Sequence, residues 1–131
     1  MEKKENSVKQ VIVWRKELSV RKGKMMVQAA HAAMKVLLDC GHFEGSNCII
    51  SMTPAMKAWL SGNFKKVAVY APDEAALRAL YAQAQAAGLP CAMVIDAGLT
   101  EFKNQPTLTC IAIGPALSEE VDMITGDLPL L

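Results

Sequence analysis

Hydrophobic positions fall into short continuous runs separated by helical stripes. Residues 10–15 (QVIVWR) form an apolar run suited to a buried strand. From about residue 22 to 39 the period lengthens to that of a helix, and Gly41 closes it. On this helix Lys24, Gln28 and His31, four and three apart, share one predicted face, with Met25, Met26, Ala29, Ala30, Ala32 and Ala33 around them. Residues 41–53, rich in Gly, Ser, Asn and Cys, read as a loop. Pro54 then opens a short helix to about residue 60, packed down by Trp59 and ended by Ser61-Gly62. Residues 65–71 (KKVAVYA) return to strand, and Pro72-Asp73-Glu74 starts an alanine-rich helix that ends at Gly88. Residues 91–95 are a third strand and residues 108–113 a fourth, which Gly114-Pro115 ends. Ser118 is the expected N-cap of a final helix to about residue 124, with acids in its first turn.

The order β-α-α-β-α-β-β-α predicts an α/β fold: a single domain with a four-stranded sheet flanked by helices on both faces. The last two strands are joined by about a dozen residues without a helix, through Asn104, Gln105 and Pro106. Such a link makes either an antiparallel hairpin or a loose crossover, so the expected sheet is mixed. Residues 1–8 are read as a flexible charged N-terminus and residues 9–131 as the domain.

Composition narrows the classes. A chain of 131 residues supports one substantial core. Its 52% hydrophobic and 21% charged content is ordinary for a globular protein, and no apolar run approaches the ~18 residues that cross a bilayer, so no membrane partner is expected. Residues 1–7 are charged and lack the apolar stretch of a signal peptide, which predicts a cytoplasmic protein. Cys40, Cys48, Cys91 and Cys110 form no C-x-x-C pair, and His31 and His42 offer no regular ligand spacing, so neither a metal nor a disulfide is indicated. Cys91 and Cys110 lie in apolar runs where cysteine acts as a small hydrophobe rather than a nucleophile. The net charge of +1 conceals an asymmetry: residues 1–24 hold eight Lys or Arg against three Glu, and residues 117–131 hold four acids and no Lys or Arg. Basic character is thus concentrated beside a glycine turn, Arg21-Lys22-Gly23-Lys24.

That turn poses an electrostatic question. Lys24 at the positive end of a helix dipole is unfavourable by up to about 1 kcal/mol. Either a carboxylate from elsewhere in the fold pairs with it, or an anionic ligand docks on the first-turn amides. A candidate carboxylate is Asp96, at the carboxyl end of the third strand and followed by Ala97-Gly98, a placement used both by ligand sites and by simple Asx turns. A Lys24–Asp96 pair with Gln28 and Thr100 beside it is a set able to run a hydrolysis. Asp96 would orient or deprotonate a water, and Lys24 would stabilise the oxyanion formed when an ester carbonyl is attacked. A nucleotide-phosphate loop is disfavoured, because Leu18 stands where that pattern needs glycine and Met25 where it needs Ser or Thr.

RKGKMMVQAAHAA (21–33), APDE (71–74), DAGLT (96–100), TCIAIGP (109–115) and TGDL (125–128), in that order and spacing, resemble the type II peptidyl-tRNA hydrolases over nearly the whole chain after residue 8. The resemblance implies cleavage of the ester between a peptide and the 3′ ribose of tRNA, without metal or cofactor, by a homodimeric cytoplasmic enzyme. Residue by residue it implies catalytic roles for Lys24, Gln28, Asp96 and Thr100, and substrate binding by Arg21, Lys22, Gly23, Gly98 and Thr109. His31 matches too, but among alanines on a packed helix it reads as a core residue and is left out of the catalytic set. Two positions depart: Leu99 stands where the family usually has arginine and Glu101 where it usually has glutamine, which weakens attraction for RNA phosphates. Arg15, Lys16, Arg21 and Lys22 remain as candidate phosphate contacts. The alternatives are a relative repurposed for another acyl ester or a noncatalytic binding module.

Overall fold

The computed structural model describes residues 7–98 and 101–131. Strand β1 (Val8–Arg15) leads into α1 (Lys22–Leu38); a small hairpin of β2 (Gly41–Glu44) and β3 (Asn47–Ile50) follows, then α2 (Pro54–Ser61). The second half is β4 (Lys66–Ala71), α3 (Glu74–Ala86), β5 (Cys91–Asp96), β6 (Thr107–Leu117) and α4 (Ser118–Thr125). The main sheet has the order β4-β1-β6-β5. Strand β1 pairs parallel with β4 and antiparallel with β6, which pairs antiparallel with β5. The sheet is therefore mixed, and the link after Asp96 closes an antiparallel hairpin.

Central strands β1 and β6 are covered on both faces, which is why they read as continuous apolar runs. Val11, Val13, Ile111 and Ile113 face α3 and α4 and meet Leu77, Ala84 and Val121. Ile12, Trp14, Cys110 and Ala112 face the opposite way, against Ala32 and Val36 of α1 and Met56 of α2. The helix starts follow their local chemistry. The Thr53 hydroxyl accepts from the Met56 N–H ahead of Pro54 in the first turn, and the Asp73 carboxylate accepts from the Ala76 N–H. Trp59 is buried, its indole N–H donating to the Lys65 carbonyl at 2.7 Å, which pins α2 to the start of β4.

Three local expectations are corrected. The segment read as a loop after α1 contains the β2–β3 hairpin: Glu44 and Asn47 face each other across Gly45-Ser46, with Gly45 at φ +62° supplying the two-residue turn. Gly114-Pro115 does not end the fourth strand. Gly114 takes φ +93° in a bulge where the β1–β6 register shifts between Lys9 and Val11, so the proline falls where the ladder is already broken and β6 runs on to Leu117. Ser118 is not an N-cap; Leu117 holds that position, and the Ser118 hydroxyl is hydrogen-bonded to that of Ser7 at 2.8 Å.

Candidate active site

The carboxyl ends of β1 and β5, the start of β6 and the start of α1 meet at one edge of the sheet. Helix α1 begins with Arg21 as an extended N-cap that has no side-chain cap of its own, and no acid lies in the first turn. Two carboxylates from the β5–β6 connection fill that deficit. Asp96 ends β5 and accepts from Lys24 Nζ at 2.9 Å, both side chains being largely buried. Glu101 accepts from the Arg21 backbone N–H at 3.2 Å and pairs with its guanidinium at 3.6 Å. The cation at the helix start is thus met by an internal carboxylate.

Asp96 is held from three directions. Besides Lys24, the Gln28 amide donates to Oδ1 at 3.2 Å and the Gly98 backbone N–H donates to Oδ2 at 2.8 Å. Burial works to raise the Asp96 carboxyl, but the hydrogen bond from Lys24, the Gly98 N–H, the Lys24 charge and the Gln28 amide outweigh it and leave its pKa below the ordinary value of 3.8. Gly98 sits at φ +85°, and a Cβ there would lie 2.2 Å from the Gln105 carbonyl oxygen, so only glycine fits.

Gln28 has its orientation set from below. Thr109, fully buried in β6, donates its hydroxyl to Gln28 Oε1 at 2.7 Å, which turns the Nε2 end toward Asp96. Thr109 is therefore buried behind Gln28, through which it reaches Asp96, and not exposed as a direct substrate contact. The neighbouring Cys110 thiol is pushed up to about 11 by burial, partly opposed by its contact with Thr109, so it is not an ionised nucleophile at neutral pH.

Of the predicted stripe on α1, Lys24 and Gln28 converge on Asp96 and His31 does not. The ridge facing the sheet is Gln28, Ala32 and Val36, and His31 is turned from it into solvent, contrary to the core position expected of it. Arg21, Lys22 and Gly23 are exposed at the helix start. Thr100 and Leu99 lie outside the described residues. Arg15 is not a free phosphate contact as expected: it donates to the Leu108 carbonyl and pairs with Glu17 and Glu74. Phe102 was not anticipated; its ring centre lies 5.7 Å from Lys24 Nζ. Its position right after Glu101, in the connection that carries Gly98, is the only signal the chain offers for it.

The family profile of the peptidyl-tRNA hydrolase PTH2 matches residues 8–131. The chain belongs to this family. It is similar to the peptidyl-tRNA hydrolase of Thermococcus onnurineus, 44% identical over 124 residues that cover 94% of this chain and 97% of the relative. That of Methanopyrus kandleri is 42% identical over 123 residues, covering 94% and 97%, and that of Methanocaldococcus jannaschii 39% over 124 residues, covering 95% and 100%. A solved protein of unknown function from Agrobacterium strain C58 shares the fold at a TM-score of 0.58 and 14% identity, covering 95% of this chain and 97% of that one. For a member of this hydrolase family, a lysine and an aspartate joined at a sheet edge are suited to an ester carbonyl and a water.

Proposed function

We propose that Lys24 and Asp96 are the reacting groups with which this member of the peptidyl-tRNA hydrolase family cleaves the ester between a peptide and the 3′ ribose of tRNA. The observation that carries the reading is the Lys24–Asp96 pair at 2.9 Å, braced by Gln28 and the Gly98 N–H. A carboxylate with a lowered pKa is a weak proton acceptor, so Asp96 acts chiefly by orienting the water and carrying its proton as the C–O bond forms. Lys24 stabilises the oxyanion on the attacked carbonyl. Collapse of that intermediate breaks the ester, and the departing ribose oxygen takes up the proton the water lost. Gln28 and Thr109 are positioning residues in this reading: buried, they hold the carboxylate in one orientation. Thr100 is assigned to the site from the sequence motif. Arg21, Lys22 and Gly23, exposed at the start of α1, serve the RNA side, with Gly98 shaping the loop. Peptidyl-tRNA arises where translation runs, so we infer a cytoplasmic protein.

Incubation with peptidyl-tRNA in the presence of chelator, followed by release of free tRNA, tests the assignment. Turnover is expected in wild type and a fall of about 100-fold or more in both Lys24→Ala and Asp96→Ala. Retention of wild-type turnover in folded Asp96→Ala would falsify the assigned site.

We also infer that two copies associate. Met26 (72% exposed), Ala30, Met34 (61%) and Leu38 repeat every four residues along the outer face of α1, and Phe43 of the hairpin is 81% exposed. A continuous apolar stripe of this kind is self-complementary about a two-fold axis. Sedimentation equilibrium at assay concentration should return twice the chain mass; a monomer there would remove this reading and leave the catalytic one standing.

A further inference from the structure

Next to the Lys24–Asp96 pair, across the turn at Glu101 and Phe102, lies a cleft of about 610 Å³. The reaction as described makes no use of it. Leu18, Ile95, Phe102 and Pro106 supply its apolar lining. Ile95 immediately precedes Asp96 in β5, so its side chain leaves the opposite face of the strand, and it is 55% exposed. Phe102 belongs to both places: it lines the cleft, and its ring lies 5.7 Å from Lys24 Nζ.

Apart from Lys103 on the rim, the charges of the cleft are engaged in ion pairs. Arg15 donates to the Leu108 carbonyl at 3.1 Å and pairs with Glu17 at 2.6 Å, while Glu74 accepts from Arg78 at 2.9 Å. Glu101, on the same wall, is taken by Arg21. A phosphate entering here would find Lys103 on the rim but would have to break the other pairs to reach Arg15 or Arg78, and would meet the carboxylates of Glu74 and Glu101. An apolar side chain would instead cover Ile95 and Phe102 and leave the pairs intact, the arrangement of a small-ligand pocket that binds through apolar surface with few polar groups. Lys103 is the exposed cation on the rim of the cleft, while Arg21 and Lys22 are exposed at the start of α1.

We propose that this cleft receives the peptide half of the substrate, with the side chain of the esterified residue covering Ile95 and Phe102, while the RNA half leaves the site toward the start of α1. The inference rests on the hydrolase reading above. The carbonyl held at Lys24 belongs to the esterified residue, so its side chain begins within one residue length, about 3.3–3.6 Å, of that carbonyl, within reach of the Phe102 ring centred 5.7 Å from Lys24 Nζ.

The test uses one tRNA body charged either with N-acetyl-leucine or with N-acetyl-glycine, and compares kcat/KM for wild type, Ile95→Ala and Lys22→Ala. Wild type should prefer the leucyl ester by about tenfold, the usual size of an apolar side-chain contact in a pocket. In Ile95→Ala that preference should collapse several-fold while the inhibition constant of uncharged tRNA holds. In Lys22→Ala both esters should lose alike and inhibition by uncharged tRNA should weaken. Ile95 is half-exposed on an edge strand, so its truncation leaves the core intact. Weaker inhibition by uncharged tRNA in Ile95→Ala, with equal loss on both esters, would give the cleft to RNA and overturn the proposal. So would a wild-type enzyme that cleaves both esters equally and ignores the substitution. If wild type cleaves neither ester, the hydrolase reading itself fails.

Discussion

Toward α3 and α4 the sheet buries Val11, Val13, Leu77, Ile111, Ile113 and Val121 in an apolar layer, whereas toward α1 the interior also holds Gln10, Gln28 and Thr109. A buried polar group left without a partner costs about 1–3 kcal/mol; in this layer Gln10 Oε1 has no hydrogen-bond partner, and the other polar groups named here are bonded. The Gln10 amide donates to the Ala33 and Gly114 carbonyls, and Thr109 to Gln28, which reaches Asp96. The two faces divide the labour. One face supplies stability through non-directional burial. The other gives up some of that freedom for directed bonds, and the branch through Thr109 and Gln28 ends at the proposed site.

Substitutions on the two faces should affect stability and turnover unequally. The largest effect on rate is expected from Asp96→Ala, whose turnover per folded molecule should collapse, with a smaller fall in thermal midpoint from loss of the acceptor that Lys24, Gln28 and the Gly98 N–H share. The largest effect on stability belongs to the opposite face: Leu77→Ala removes a fully buried side chain and should cost about 2–5 kcal/mol in urea unfolding. Its folded fraction should turn over normally; a comparable fall in kcat would show that the two faces are not separable. Thr109→Val is intermediate. It keeps the shape, strands Gln28 Oε1 without its donor, and should lower stability by about 1–3 kcal/mol. Because the Gln28 amide is then free to turn from Asp96, kcat should fall about tenfold with KM little changed, and Thr109→Ser should restore it. A loss of stability with kcat intact would make Thr109 a packing residue only.

What could be read from the chain followed the same division. The buried strands and the Lys24–Gln28 spacing are local patterns, and they appear in the structure as the pattern implies. His31 was misplaced because spacing alone groups it with Gln28; only the docked helix shows that the inward ridge continues to Ala32 and Val36. The β2–β3 hairpin was hidden by polar composition, although Gly45-Ser46 between two short runs is a turn signal. The bulge at Gly114-Pro115 was illegible because it depends on the facing strand. The depth of Thr109 and the partner of Glu101 are long-range facts, 81 and 80 residues from the groups they meet.

Glu101 yields the smallest expected effect and the one most particular to this chain. Its carboxylate does more than reduce the positive field, as the sequence suggested: it caps α1 through the Arg21 N–H and occupies the Arg21 guanidinium. An RNA phosphate must displace it to use either group. Glu101→Gln keeps a hydrogen-bond acceptor for the N–H and removes the charge, so Arg21 becomes available as one more phosphate contact. KM for peptidyl-tRNA should then fall several-fold at low salt, and the slope of log KM against log salt should steepen by about 0.7–0.9, the increment of a single contact. Arg21→Ala should abolish the gain when combined with Glu101→Gln, since it removes the cation that was released. A lower thermal midpoint with an unchanged salt slope would instead make Glu101 a helix cap alone.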